Sequence, residues 1–349
     1  MLANQSVNGC RDLDSLIGFP QKKMTFFVTG AAGFIGAVTL RRLLSKGHRV
    51  VAIDNFNAYY DPALKRHRLA DLHGHSALTL LEGDIRDRNT LDTIFAQHAI
   101  DGVINLAAMA GVRSSIENPF LYSDVNSTGF LQLLESMRRH GVKKIALAST
   151  SSLYAGLTMP FNEEQDVRKP ISPYAASKLA AEAMGHVYSE IHGFNVVVLR
   201  YFTVYGPAGR PDMAIFKFIE SCIRGDVIEL FGDGQHTRDF TFVEDIAEGT
   251  VRTMEAELDG FHMFNLGGGN TPTSMLDLIR MIASEVGCSP KILKKPPIQA
   301  DMLHTGGSVE QAKKWLNWSA STSLNEGIRR TVQWHLAHRD LLDRLTPFN

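Results

Sequence analysis

Cysteine is scarce in this chain. Its three copies, Cys10, Cys222 and Cys288, are odd in number and far apart in the sequence, so neither a disulfide framework nor a zinc cluster is suggested and a reducing compartment fits. The thirteen histidines do not fall at metal-ligand spacing with carboxylates, His73-Gly74-His75 reads as a surface turn, and no metal is expected. An excess of either charge is also lacking. Lys and Arg total 36 against 37 Asp and Glu, a net charge of -1, which gives no field for nucleic acid or an anionic membrane. Any anion it binds must meet a local site. No long apolar run occurs, so no membrane-spanning helix is expected. The basic pair Lys22 and Lys23 follows the short apolar patch Leu16 to Phe19, the reverse of an export signal. The expectation is a soluble cytoplasmic protein with a loose N-terminal extension at residues 1 to 23.

What is present is an alternation. With 349 residues, 44% of them hydrophobic, the chain can bury one large core or two. Short β-branched runs at Thr25 to Thr29, Arg49 to Asp54, Leu78 to Glu82, Val103 to Leu106, Lys144 to Ala148 and Val196 to Arg200 are separated by helical patterns, the first of them Phe34 to Lys46. This predicts an α/β fold, a parallel sheet covered by helices. Beyond Gly206 glycines and prolines cluster and the strand signals shorten. That region reads as a smaller lobe, with a return to the sheet near Phe261 to Leu266.

Between the first strand and the first helix lies Gly30-Ala31-Ala32-Gly33-Phe34-Ile35-Gly36. Glycines there permit a tight turn and close approach of backbone to a pyrophosphate, and a helix N-terminus offers N–H donors to the anion. Asp54 ends the second strand, where a carboxylate can bond an adenosine ribose diol and would repel a 2'-phosphate, so NAD is favoured over NADP. Lys65, Arg66 and Arg68 lie too far along to replace that contact and read as a solvated basic helix face. Asp84 and Ile85 follow the third strand, beside the expected adenine. Leu106, Ala107 and Ala108 follow the fourth, where small residues let a cofactor lie against the sheet.

In Ser172-Pro173-Tyr174-Ala175-Ala176-Ser177-Lys178, a proline before helix formers marks a helix start, and Tyr174 and Lys178 share one face at i, i+4. A tyrosine titrating near about 10 is a poor base at neutral pH. A fixed lysine cation and a second positive charge would favour its phenolate. Thr150, in Ser149-Thr150-Ser151-Ser152-Leu153-Tyr154, offers a hydroxyl at the end of the fifth strand.

Together and in this order, these motifs resemble the extended short-chain dehydrogenase/reductase family over roughly residues 24 to 340. The resemblance implies a Rossmann-type doubly wound parallel sheet with a smaller mixed C-terminal lobe. The NAD-binding domain would comprise residues 24 to 205 with about 240 to 270, and the nucleotide-sugar lobe about 206 to 239 with 271 to 340. It implies Tyr174 as base and acid, Lys178 on the nicotinamide ribose, Thr150 on the sugar O4, and nicotinamide as the second positive charge. It also implies a homodimer built from two helices per subunit, about Leu121 to His140 and Tyr174 to His192.

Within that family the residues after Thr150 separate reactions. Sugar 4,6-dehydratases carry Asp-Glu there, because eliminating water needs an extra acid and base, and uronate decarboxylases place a Glu second. Ser151 and Ser152 fit neither, which leaves 4-epimerisation through a 4-keto intermediate. Arg200 to Pro207 with Gly209 to Ala214, Asn55 to Pro62, and Ala110-Gly111-Val112-Arg113 are similar to the UDP-glucuronate 4-epimerase group. A C6 carboxylate would meet the hydroxyls of Ser151, Ser152 and Thr203, with Arg210 contacting it or holding that wall through neighbours. Arg113, Lys217 and Arg238 are expected near the sugar or diphosphate, Asp301 near the nucleotide ribose or base, and Asn55 near the cofactor. Asn105 stands where relatives often have His, Met109 where uronate epimerases carry Gln, and Ala155 where Gly is usual; Met109 is expected near the sugar wall. A neutral UDP-hexose or hexosamine epimerase, a decarboxylated pentose product and a silent NAD-binding sensor are the competing readings.

Overall fold

The computed structural model describes residues 23–268, 271–297 and 302–347. Seven parallel strands form the central sheet: β1 (Thr25–Thr29), β2 (Arg49–Asp54), β3 (Leu78–Glu82), β4 (Gly102–Asn105), β5 (Lys144–Thr150), β6 (Asn195–Tyr201) and the strand Phe261–Leu266. In space the last strand comes first, followed by β6, β5, β4, β1, β2 and β3. The chain winds one way from β1 and then the other, a Rossmann-type doubly wound sheet, and its reversal between β1 and β4 opens a crevice at the strand ends. Strands β1, β2, β4, β5 and β6 are buried almost throughout, which is why they read as continuous apolar runs. Two apolar cores result, one on each face: Phe26, Val28 and Leu199 point to one, and Phe27, Val103 and Val198 to the other.

Beyond β6 the described residues of the lobe form only small sheets. Thr203–Tyr205 pairs with Phe240–Phe242, Val227–Phe231 with Lys291–Lys295, and Thr237–Arg238 with Thr273–Ser274. A separate core holds the lobe together, with Ile219, Leu278 and Ile282 among its buried residues. Cys222 and Cys288 are distant in sequence but both belong to this core, and burial with the neighbouring Cys288 thiol pushes Cys222 up to about 12. Both are free thiols.

The first expected subunit-contact helix is a composite. Pro119–Ser123 and Phe130–Arg139 are α-helical, and Asp124–Gly129 between them is one wider π turn, a form common near functional sites. The π turn carries Asn126, whose carboxamide accepts from Met109 N at 2.8 Å and donates to Met109 O and to Ser177 Oγ, each at 2.9 Å. No described helix is long and apolar enough to cross a membrane.

Candidate active site

The crevice begins where β1 ends. Gly30 adopts φ +69°, and a Cβ there would lie 2.6 Å from Ala107 N, so only glycine lets the turn rest on the chain leaving β4. At Gly36 a Cβ would stand 2.1 Å from Gly30 O, so the following helix, Phe34–Ser45, can start directly under the turn only with glycine there. Gly33 caps that helix without a side-chain acceptor, leaving its first amides for an anion. Asp54, at the tip of β2, is held by Ala32 N at 2.9 Å and Phe56 N at 2.8 Å. Glycines that keep the backbone bare and a buried carboxylate one strand away suit a dinucleotide.

These groups border a cavity of about 550 Å³. Every residue expected to hold the cofactor borders it: the turn Gly30, Gly33, Phe34, Ile35 and Gly36; Asp54 and Asn55; Asp84 and Ile85; Leu106 to Ala108; and Tyr174 with Lys178. Asn55 Nδ2 donates to Asp84 at 2.8 Å, and Arg86 pairs with the same carboxylate at 2.7 Å. Arg86 above all holds Asp84 down at about 2.

The basic run after Asp54 is not a solvated face. Lys65 and Arg68 are buried and only Arg66 of the three reaches solvent. Lys65 Nζ donates to Asn57 Oδ1 at 3.1 Å and borders the cofactor cavity. Arg68 donates to the carbonyls of Ala208 and Gly209 at 2.8 and 3.0 Å, tying the lobe to the Rossmann domain. On the helix Pro62–Arg68, Arg68 thus finds backbone carbonyls and Lys65 the Asn57 side chain where the pattern suggested water, while Arg66 is exposed as expected.

The next helix of the site, Pro173–His192, starts as its sequence predicts. Ser172 Oγ caps Ala175 N at 3.2 Å, proline occupies the first turn, and Gly193 closes the other end in the left-handed region. Ala175, Lys178, Ala181, Glu182 and Gly185 form its buried stripe. Lys178 Nζ donates to Ala148 O on β5 at 2.9 Å, and burial lowers its ammonium to about 8. Burial raises the Tyr174 phenol, whereas the Thr150 hydroxyl and the Arg210 cation pull it down and Tyr59 pushes it up. The cation that acts on the phenol from within the chain is therefore Arg210, while Lys178 is anchored to the sheet. Thr150 ends β5, and its Oγ1 accepts from Ser152 N at 3.1 Å and donates to Ser152 Oγ at 3.1 Å.

A second cavity of about 600 Å³ opens beyond Tyr174 toward the lobe. Ser151, Ser152, Thr203, Arg113, Lys217 and Arg238 all line it. Arg113 stacks over the Phe231 ring at 4.7 Å, and Arg238 Nη1 donates to Thr237 O at 2.9 Å. Tyr174, Thr150, Arg210 and Tyr59 border both cavities. The phenol thus stands where two binding spaces meet.

Met109 borders the first cavity and packs with Tyr122, Val125, Tyr59 and Tyr174, of which Tyr59 and Tyr174 also border the second; Asn126 holds its backbone. Asn105 is buried and accepts from Thr29 Oγ1 at 2.6 Å, a structural bond between β4 and β1. Asp301 lies outside the described residues. Among the described residues no cluster of three His, Cys, Asp or Glu side chains could hold a metal ion. Sequence reasoning gave no role to Tyr59, Asp212 or Phe231. Their signal was present only in part, as an acid two positions after Arg210 and an aromatic within a quoted motif.

A family model described as the NAD dependent epimerase/dehydratase family matches residues 26–267. A UDP-glucuronate 4-epimerase of Thermodesulfobacterium geofontis is 44% identical over 317 residues, covering 91% of this chain and 98% of that protein. A Bacillus cereus UDP-glucuronic acid 4-epimerase, solved with UDP-glucuronic acid and NAD, superposes with a TM-score of 0.85 at 33% identity, covering 90% of this chain and 99% of that one. A Thermotoga maritima UDP-glucose 4-epimerase with UDP-glucose gives a TM-score of 0.83 at 30% identity, covering 90% and 100%.

Proposed function

The chain belongs to the NAD dependent epimerase/dehydratase family, and from that premise we propose that it is an NAD-dependent UDP-sugar 4-epimerase whose first substrate pair is UDP-glucuronate and UDP-galacturonate. The observation that carries this reading is the junction at Tyr174: a glycine-walled cavity on one side, a hydroxyl- and arginine-lined one on the other. The backbone at Gly30, Gly33 and Gly36, with Asp54 and Lys178, would hold NAD. Bound there, NAD would supply hydride-transfer chemistry at C4, as acceptor for the oxidation and, once reduced, as donor for the return.

The protein's part is to move one proton and to let the sugar turn. Tyr174 takes the O4 proton, with Thr150 as the hydroxyl between them, and gives it back after the keto sugar has presented its other face. Arg210 favours the phenolate that the first step needs. Ser151 and Ser152 offer hydroxyls where elimination would need an acid and a base, so the keto sugar is reduced again instead of losing water. The same hydroxyls with Thr203 meet the C6 carboxylate.

A neutral hexose is the second reading, supported by the likeness to the Thermotoga enzyme. The subunit arrangement proposed is a homodimer through the helices Pro119–Arg139 and Pro173–His192. Phe120, Leu121, Val187 and Ile191 expose large apolar side chains there, a pattern suited to a partner. The division proposed is an NAD domain, 24 to 205 with 240 to 270, and a sugar lobe formed by the rest of the C-terminal half. The free thiols of Cys222 and Cys288 support a cytoplasmic location.

The test is direct. Purified protein is incubated with UDP-glucuronate, UDP-glucose or UDP-N-acetylglucosamine and the products are followed by NMR, with Tyr174→Phe as the inactive control. UDP-galacturonate should form from the first. No product from any of the three, with NAD bound, would overturn the reading.

A further inference from the structure

Arg210 borders both cavities, yet its binding edge is already occupied. Nε donates to Asp212 Oδ1 at 3.0 Å and Nη2 to Asp212 Oδ2 at 2.5 Å, a two-point pair. Nη2 also reaches Ala110 O at 3.4 Å. Among the described residues Nη1 makes no hydrogen bond. Asp212 is itself held, since Tyr59 OH lies 3.5 Å from its Oδ2 and 3.1 Å from Ser114 Oγ. The Arg210 guanidinium also sits over the Tyr59 ring at 5.9 Å. Both charged side chains are largely covered, at 22% and 11% exposure, so neither is fully solvated and the pair is not an exposed surface contact.

An arginine with an open fork grips a carboxylate through two parallel bonds and fixes its plane. Such a grip would be a handicap in this reaction. The keto sugar must expose its opposite face between the two hydride transfers, and the C6 carboxylate swings with the ring. A carboxylate clamped at two points would hold the ring on one face. Single bonds from Nη1 and from the hydroxyls of Ser151, Ser152 and Thr203 can be exchanged as the ring turns.

We propose that Asp212 is a positioning residue that occupies the fork of Arg210, so that a uronate carboxylate is held at one point instead of two and the sugar stays free to turn. The proposal rests on the 4-epimerase reading and adds a determinant of substrate discrimination to it. Neutral UDP-sugars have no carboxylate to clamp, so Asp212 affects their binding little. The cation is meanwhile kept beside Tyr174, because Asp212 and Tyr59 fix where the guanidinium stands.

The measurement uses the NAD-loaded protein. Binding of UDP-glucuronate and UDP-glucose is titrated by calorimetry on a Tyr174→Phe background, where turnover does not blur the result, and kcat is measured on the otherwise unchanged enzyme. Asp212→Asn should tighten UDP-glucuronate by about tenfold, the scale of one hydrogen bond to a charged group, and leave UDP-glucose within about twofold. Its kcat should fall on both sugars by whatever the shifted Arg210 cation takes from the Tyr174 phenolate, and on UDP-glucuronate by about a further tenfold. Adding Arg210→Lys, which has no fork, should cancel the tightening. Asp212→Ser, which also removes the carboxylate, is read in its place if the amide variant does not fold. Equal changes for both sugars, or none, would overturn the proposal. Tightening without epimerisation of UDP-glucuronate by the parent enzyme would keep the proposal for the arginine and reject the reaction.

Discussion

Arg200 Nη2 and Glu182 Oε2 meet 2.8 Å apart beneath the helix of Tyr174 and Lys178, with side chains only 2% and 4% exposed. Arg200 Nε donates to Glu182 Oε1 at 3.0 Å, Ser149 Oγ bonds the same carboxylate at 2.5 Å, and Arg200 Nη1 reaches Tyr154 OH at 2.9 Å. Breaking such a pair leaves a buried charge alone. Glu182→Ala should therefore cost about 3–5 kcal/mol, read as a lower urea midpoint. A Glu182→Leu/Arg200→Met double variant should recover most of the loss, and a double variant as unstable as the single would refute this account.

Lys178 contributes a pH-dependent cost. Its folded value is lowered to about 8, against roughly 10.4 in an unfolded chain. Between those values the unfolded chain binds more protons, so folding stability rises with pH across the window, and below it the whole cost remains. In nucleotide-free protein, Lys178→Met should raise stability at pH 7 by on the order of 3 kcal/mol. The gain should shrink steadily as pH climbs from about 8 toward 10.4. Thermal melts over that range check it, and a gain independent of pH would count against it.

The turn under the proposed pyrophosphate leaves no room for a methyl group. Gly36→Ala brings a Cβ to 2.1 Å from Gly30 O, so the turn or the helix start must move. Copurifying NAD, measured by absorbance after denaturation, should fall by at least about tenfold, because the backbone approach is lost. Normal NAD content would show that the turn accommodates the change.

Ser152 and Thr203 line the cavity beyond Tyr174, the proposed sugar site, with hydroxyls. A 4-keto uronate is a β-keto acid, which loses CO₂ when the carboxylate bond aligns with the carbonyl π system. Replacing either residue with Ala should raise the ratio of UDP-pentose to epimer several-fold, roughly the effect of one lost hydrogen bond. Product NMR reads the ratio directly, and an unchanged ratio would remove the hydroxyls from this role.

Local signals reported local structure well. The glycine turn, Asp54 at the tip of β2, the proline-led helix and the sheet strands all depend on neighbours in sequence, and they fall within a few residues of expectation. What escaped depends on distant parts of the chain. Arg68 looked solvated because its carbonyl partners lie across the molecule at Ala208 and Gly209, and Lys65 because the loop before its helix folds Asn57 back onto it. Nor does the sequence tell that the backbone of Met109 is held by Asn126, seventeen residues on. The Arg210–Asp212 pair is visible in sequence, but its place beside Tyr174 is not, since that follows from how the lobe closes on the sheet. Cys222 and Cys288 became neighbours in the same way.

Asn126 does for one residue after β4 what a backbone neighbour could do. Its carboxamide offers Met109 one acceptor and one donor, the two bonds that a neighbouring strand would provide. The segment after β4 is therefore held as though a further strand ran beside it. The role of that strand is played by one side chain on a widened turn, and its remaining donor ties the arrangement to Ser177 on the helix of Tyr174.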